Sequence, residues 1–160
     1  MKWAGGKTLG VLATGLVVLV AGCGGGGGGG RLSKSDYEQK LQSEGSQLKT
    51  AFAAVDLEKS SNINDLTTKL TNLQQELDQA ASDIEDLNPP KDVEADNQKL
   101  ADALHNAADK FGELKDAAKA QDQQRMQKIS QEVATVLQEG KAAADDLKAK
   151  GYDIGTLGEG

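Results

Sequence analysis

Residues 63–87 read INDLTTKLTNLQQELDQAASDIEDL, and this stretch decides the fold class. Apolar residues recur along it at alternating steps of three and four, which places them on one face of an α-helix. They are Ile63, Leu66, Leu70, Leu73, Leu77, Ala80, Ile84 and Leu87. Asn88-Pro89-Pro90 follows and ends the helix, because proline lacks an amide hydrogen and disfavours helix in the residue before it. The pattern predicts a helix over residues 63–87 that buries a single stripe.

Three further stripes of the same kind flank this one. They consist of Tyr37, Leu41, Gly45, Leu48, Phe52 and Val55; of Val93, Asn97, Leu100, Leu104, Ala107, Phe111, Leu114 and Ala118; and of Met126, Ile129, Val133, Val136, Gly140, Ala143 and Leu147. Ser33, with Asp36 three residues on, predicts the start of the first helix, and Asp122 predicts the start of the fourth. Gly151 is typical of a residue that leaves a helix. The sequence predicts helices at 34–59, 63–87, 90–120 and 123–150.

These helices predict one architecture. Each has about 25 residues and is roughly 37 Å long at 1.5 Å per residue. Their connections are short, so consecutive helices are expected to be antiparallel neighbours. We therefore predict an all-α, up-down-up-down four-helix bundle over residues 33–150 and a flexible C-terminal tail over 151–160, pinned at most by Tyr152 or Ile154. The alternative is a pair of long helical hairpins that dimerise as a coiled coil, which leaves the oligomeric state open.

The N-terminus has the three parts of a secretory signal peptide. Lys2 and Lys7 form a basic start, an apolar run covers residues 9–20, and small residues lead to a cysteine. Val20-Ala21-Gly22-Cys23 resembles the lipobox of bacterial lipoproteins. The resemblance covers about the first 23 residues, and it implies removal of residues 1–22 and a diacylglycerol thioether on Cys23. The protein is therefore expected on the extracytoplasmic side of a cell membrane or outer membrane, held by lipid on Cys23.

Two other interpretations of this segment are weaker. A transmembrane helix needs roughly 20 apolar residues, and residues 9–22 are fewer and include glycines. Cys23 is the only cysteine of the chain, so it has no intramolecular disulfide partner. Residues 23–32 are predicted to form a linker, because residues 24–30 are seven consecutive glycines. Such a run predicts a flexible tether with a root-mean-square reach of about 15 Å.

The charge of the chain argues against nucleic acid as a partner. The formal net charge is −7, and removal of residues 1–22 takes away two lysines and leaves −9. Such a surface repels phosphates and anionic lipid headgroups, so contact with the membrane is expected through the lipid alone.

No pattern for catalysis or metal binding stands out. His105 is the only histidine of the chain. Asp102-Ala103-Leu104-His105 resembles the Glu-x-x-His motif of di-iron bundles in spacing alone, and those bundles need the motif on two helices. The sequence has no Gly-x-Ser-x-Gly nucleophile motif. No catalytic residue, metal site or cofactor is therefore predicted, and the chain is not expected to be an enzyme.

Gly45 and Gly140 stand where their stripes require a large apolar residue. In an antiparallel bundle they would lie at similar heights, close to His105. One hypothesis is a small pocket with His105 at its edge. The other hypothesis is that two helices approach each other closely without a void, which glycine permits because it has no side chain. Within a helix, glycine is less stable than alanine by about 1 kcal/mol.

The function expected from these features is that of a non-enzymatic interaction or structural module with a protein partner in the cell envelope. The alternative is a carrier that binds a small molecule or a metal inside the helical bundle. Neither the partner nor the ligand follows from the sequence.

Overall fold

The computed structural model describes residues 30–55 and 60–158. These residues form four long helices and no strand: α1 (Lys34–Ala54), α2 (Ile63–Glu85), α3 (Glu94–Lys119) and α4 (Gln123–Ala149). A single 3₁₀ turn at Lys91–Val93 precedes α3. The helices pack as consecutive neighbours, with α3 between α2 and α4. The predicted four-helix bundle is confirmed, whereas the signal peptide, Cys23 and residues 56–59 lie outside the described residues.

Side-chain caps start three of the four helices. The Ser33 hydroxyl accepts the Asp36 amide at 3.2 Å and donates to the Asp36 carboxylate at 2.7 Å. Asn62 Oδ1 accepts two amides at the start of α2, and Asp122 Oδ1 accepts the Arg125 amide at 3.0 Å. Each cap pairs amides that the helix itself leaves without partners. The predicted caps at Ser33 and Asp122 are confirmed.

The cap at Asp122 gives a simple prediction about stability. We expect Asp122→Ala to lower the free energy of unfolding by about 1 kcal/mol, because the Arg125 amide loses its acceptor. Asp122→Asn is expected to keep most of this stability, since its side-chain oxygen accepts the same bond. Urea unfolding of the chain from residue 30 onward compares the two variants. Equal losses would show that the charge of Asp122 matters and the cap does not.

The predicted stripes meet in one core. Its largest fully buried side chains are Tyr37, Leu41, Leu70, Leu73, Leu77, Ile84, Val93, Leu147 and Ile154. Burial weakens toward the end of α1, where Phe52 and Val55 are half-buried. Helix α1 ends at Ala54, short of the predicted residue 59, because the Val55 amide bonds to the Phe52 carbonyl in a tighter turn. Within the described ranges, no helix combines the length and the apolar character that crossing a membrane requires.

We call the two ends of the bundle the basal end and the distal end. At the basal end α1 and α3 begin and α2 and α4 finish; at the distal end α1 and α3 finish and α2 and α4 begin. The chain enters at the basal end, where Arg31 donates to the Pro89 carbonyl at 2.9 Å and the Leu32 amide donates to the Asn88 carbonyl at 2.7 Å. The first described residues are thus joined to the α2–α3 connection.

The C-terminal residues do not form the loose tail that their composition predicts. Gly151, at φ +82°, turns the chain back onto the bundle after α4. We call residues 152–158 the C-terminal strap. Its side chains Tyr152, Ile154 and Leu157 are buried, with exposed fractions of 6%, 0% and 4%. The prediction of a flexible tail is corrected here: apolar side chains at these three positions bury surface between α1 and α4, which favours order.

Candidate functional site

The three residues predicted to share a pocket lie against three different parts of the molecule. A Cβ atom built on Gly45 would lie 2.8 Å from the backbone nitrogen of Leu157 in the strap. One built on Gly140 would lie 3.5 Å from the Cβ atom of Ala103 on α3. His105 follows Ala103 by two residues and therefore points to another side of α3. The structure does not gather Gly45, Gly140 and His105 around one cavity. Gly45 permits close approach of the C-terminal strap, whereas the space beside Gly140 would accept a Cβ atom at ordinary contact distance.

His105 lies at the surface between two carboxylates of α2. Its Nδ1 atom is 3.5 Å from Asp78 Oδ1, and its Nε2 atom is 3.6 Å from Glu85 Oε2. All three side chains are at least 40% exposed, so water screens their interaction and such contacts contribute little to stability. In the part of the chain that the structure describes, no three His, Cys, Asp or Glu side chains are grouped to hold a metal ion.

The basal end holds a buried polar cluster that begins at Tyr37. Its hydroxyl donates to Asn97 Oδ1 at 3.0 Å, and Asn97 Nδ2 donates to the Ile84 carbonyl at 2.9 Å. Tyr37 is fully buried and Asn97 is 4% exposed, so these bonds are shielded from water. Burial raises the pKa of Tyr37 well above its usual value, and Tyr152 and Asp96 add to the rise. The Tyr37 hydroxyl is therefore neutral and ties α1 to α3.

Charged groups extend this cluster to the end of α4. The Lys150 ammonium donates to the buried Asp96 carboxylate and to the Asp92 carbonyl, the latter at 2.7 Å. The Tyr152 hydroxyl donates to the Asp92 carboxylate at 3.1 Å, and its ring meets that of Tyr37 edge-on at 5.7 Å between centroids. Burial, followed by the bond to Asp92, raises the pKa of Tyr152. Each of these polar groups is bonded to another member of the cluster, and the cluster joins α1, α3 and the end of α4.

In the sequence, Asn97 is the residue that indicates a buried polar cluster. It occupies a core position of the third stripe, where an amide is buried only if it is hydrogen-bonded. The sequence does not name its partner, because Tyr37 is 60 residues away along the chain.

A concave surface feature lies between α1 and α2. It is an open groove of about 870 Å³ in the middle and distal parts of the two helices. Its walls carry small or uncharged side chains, apart from Lys69 and Glu76. They are Ser43, Ser46, Gln47, Thr50, Ala51, Ala54 and Val55 on the α1 side and Lys69, Asn72, Leu73, Gln75 and Glu76 on α2. We call this feature the α1–α2 groove.

The groove exists because α1 packs loosely on α2. Contact between these two helices is much sparser than between α2 and α3 or α3 and α4. The hydroxyls of Ser46 and Thr50 donate to carbonyls one turn back in their own helix, at 2.8 and 3.0 Å, and so do not bridge to α2. A smaller depression toward the basal end contains Lys40, Glu44 and Asp83. Burial, followed by the charge of Asp83, raises the pKa of Glu44 there.

Sequence reasoning missed the α1–α2 groove. Its signal is the row Ser43, Ser46, Thr50 and Ala54, at steps of three and four beside the apolar stripe of α1. Small side chains leave space next to a neighbouring helix unless that helix moves closer. The row alone does not decide between these two outcomes.

Comparisons of the chain with protein-family models, with curated proteins and with solved structures found no match.

Proposed function

We propose that the mature chain is a lipid-anchored, extracytoplasmic interaction module that acts without catalysis. Lipid on Cys23 and the glycines after it form the tether, and a protein of the cell envelope is the partner. The observation that carries the proposal is the position of the α1–α2 groove relative to the point where the tether joins the bundle.

The tether and the groove occupy different parts of the bundle. Residues 30–32 are joined to the basal end through the Asn88 and Pro89 carbonyls and through an ion pair of 2.7 Å between Arg31 and Glu94. The groove begins at Ser43 and reaches Ala54 on α1. At 1.5 Å per residue these positions are about 14 and about 30 Å from the start of α1. A module anchored at its basal end therefore presents the groove away from the lipid.

The lining of the groove indicates the chemistry of the partner. Apolar surface from Ala51, Ala54, Val55 and Leu73 forms part of the lining, and hydroxyl and amide side chains complete it. Lys69 forms an ion pair with Asp65 at 3.3 Å, so its charge is already partly balanced. A protein segment with small apolar and uncharged polar side chains fits most of this surface, and a hydrogen-bond donor or a basic side chain opposite Glu76 would pair with its carboxylate.

Photo-crosslinking in intact cells tests this function. A photoreactive amino acid replaces Gln47, which lines the groove, or Gln138, which is exposed on α4. We expect Gln47, and not Gln138, to crosslink to one specific protein. Mass spectrometry identifies that protein. Crosslinking from both positions to many proteins, or from neither, would refute a groove-centred interaction.

The anchor is tested by Cys23→Ala in the same cells. We expect the variant to leave the membrane fraction and to lose at least about 90% of the crosslink from Gln47, because the effective concentration at the membrane is lost. Metabolic labelling with a fatty-acid analogue checks the lipid directly. Unchanged membrane recovery and labelling of the variant would contradict the proposed anchor.

A further inference from the structure

Helix α1 is the least firmly packed helix of the bundle. On one side the α1–α2 groove separates it from α2. On the other side α1 and α4 do not approach each other closely along their lengths. Near the distal end its described aromatic contact is an edge-on pair between Phe52 and Phe111, with 6.2 Å between ring centroids. Segments with few buried contacts open more readily than the rest of a fold, so α1 is the helix that we expect to open first.

The C-terminal strap lies between α1 and α4 and contacts both. The Asp153 amide donates to Glu38 Oε1 at 2.9 Å, and Gln42 Nε2 donates to the Asp153 carbonyl at 3.0 Å. Leu157 lies on Gly45 of α1. At the end of the strap, a Cβ atom on Gly158 would lie 2.5 Å from the Cβ atom of Ala144 on α4. The strap thus fills the space that separates α1 from α4.

The strap is suited to leaving this position as a unit. It contains no helix or strand, and Gly155 and Gly158 have φ values of +57° and +82°, which glycine adopts at little cost. Thr156 Oγ1 is buried without a hydrogen-bond partner among the described residues. Seating the strap therefore costs a hydrogen bond that water restores when the strap leaves.

We propose that the strap controls the opening of α1, and thereby the width of the α1–α2 groove. While seated, it holds the basal and middle parts of α1 toward α4. When it leaves, α1 stays joined to α3 at the basal end through the Tyr37–Asn97 bond, but its middle and distal parts keep only loose contacts and move away from the bundle. This regulation of partner binding rests on the function proposed above, whereas the movement of α1 does not.

A reversible covalent lock tests the movement. A Cβ atom built on Gly155 lies 3.6 Å from the Cβ atom of Gln42, within the range that a disulfide spans. The test protein carries Gln42→Cys and Gly155→Cys, with Cys23→Ser to remove the native thiol. Oxidised and reduced forms of this one chain share every substitution, so any strain from a side chain at position 155 is common to both.

Hydrogen exchange followed by mass spectrometry compares the two forms. We expect oxidation to slow exchange at least about fivefold in peptides covering residues 43–54, while peptides from α2 and α3 change less than about twofold. Unchanged exchange in α1 would overturn the proposal. Equal slowing in all helices would also overturn it, because the disulfide would then act only on global unfolding.

Crosslinking in intact cells separates this inference from the proposed function. For this experiment the chain with Gln42→Cys and Gly155→Cys keeps Cys23, because the crosslink requires the proposed anchor. We expect oxidation to reduce the crosslink from Gln47 to its partner at least about threefold, and reduction to restore it. If exchange in α1 fails to respond to the lock while the crosslink persists, the strap does not control α1 and the interaction module stands. If exchange responds and no partner is captured by either form, the strap stands and the interaction module fails.

Discussion

Asn97→Ala is expected to lower the free energy of unfolding by about 3 kcal/mol. The substitution leaves the hydroxyl of the fully buried Tyr37 without an acceptor and opens a small cavity beside it. The Ile84 carbonyl loses one donor, but it keeps the amide of Leu87 at 3.2 Å. The unpaired Tyr37 hydroxyl and the cavity left by the Asn97 side chain therefore share the loss. Urea unfolding of the chain from residue 30 onward, monitored by circular dichroism, measures it.

The matched control is Asn106→Ala on the same helix. Asn106 is exposed, so its replacement is expected to change stability by less than about 0.5 kcal/mol. The sharper test adds Tyr37→Phe to Asn97→Ala, which removes the unpaired hydroxyl and is expected to recover about 1 kcal/mol. In the presence of Asn97, the same Tyr37→Phe change is expected to destabilise the protein. The same sign in both backgrounds would show that the two side chains are not coupled.

Local sequence patterns were sufficient to predict the bundle. Leu70, Leu73 and Leu77 fall on one face at helical spacing, and all three are buried. Serine and aspartate caps have effects that depend only on adjacent backbone, so the predicted starts of α1 and α4 agree with the structure to the residue. The start of α2 agrees as well, because the apolar stripe begins at Ile63. The end of α1 was predicted five residues too late. The residue types after Ala54 still favour a helix, whereas the turn at Val55 occurs where α1 is only half-buried.

The candidate sites depend on contacts between distant residues, and those contacts were beyond local patterns. The polar cluster joins Tyr37 to Asn97, and the strap joins Asp153 to Glu38. Tyr152 and Ile154 gave a weak signal that the tail is held, but nothing in their spacing indicates the space between α1 and α4. Cys23 lies outside the described residues, so its lipid anchor stays a prediction.

Replacement by alanine is expected to change stability in opposite directions at Gly45 and Gly140, although both glycines occupy a position of an apolar stripe within a helix. Both Gly45 and Gly140 lie within helices, where alanine is favoured over glycine by about 1 kcal/mol. A Cβ atom at Gly140 makes an ordinary contact with Ala103, so Gly140→Ala is expected to stabilise the protein by up to about 1 kcal/mol. A Cβ atom at Gly45 overlaps the backbone of Leu157, so Gly45→Ala is expected to cost about 1–2 kcal/mol net.

Removal of the strap identifies the cause of this difference. In a chain that ends at Gly151, the atoms that oppose a side chain at Gly45 are absent, and Gly45→Ala is expected to become stabilising, as Gly140→Ala is in the full chain. Urea unfolding of Gly45→Ala and its parent, each with and without residues 152–160, provides the four free energies that the comparison needs. A cost at Gly45 that persists without the strap would mean that α1 meets another neighbour there. A cost that vanishes would mean that glycine at this position serves the strap, since alanine would be the better residue for the helix alone.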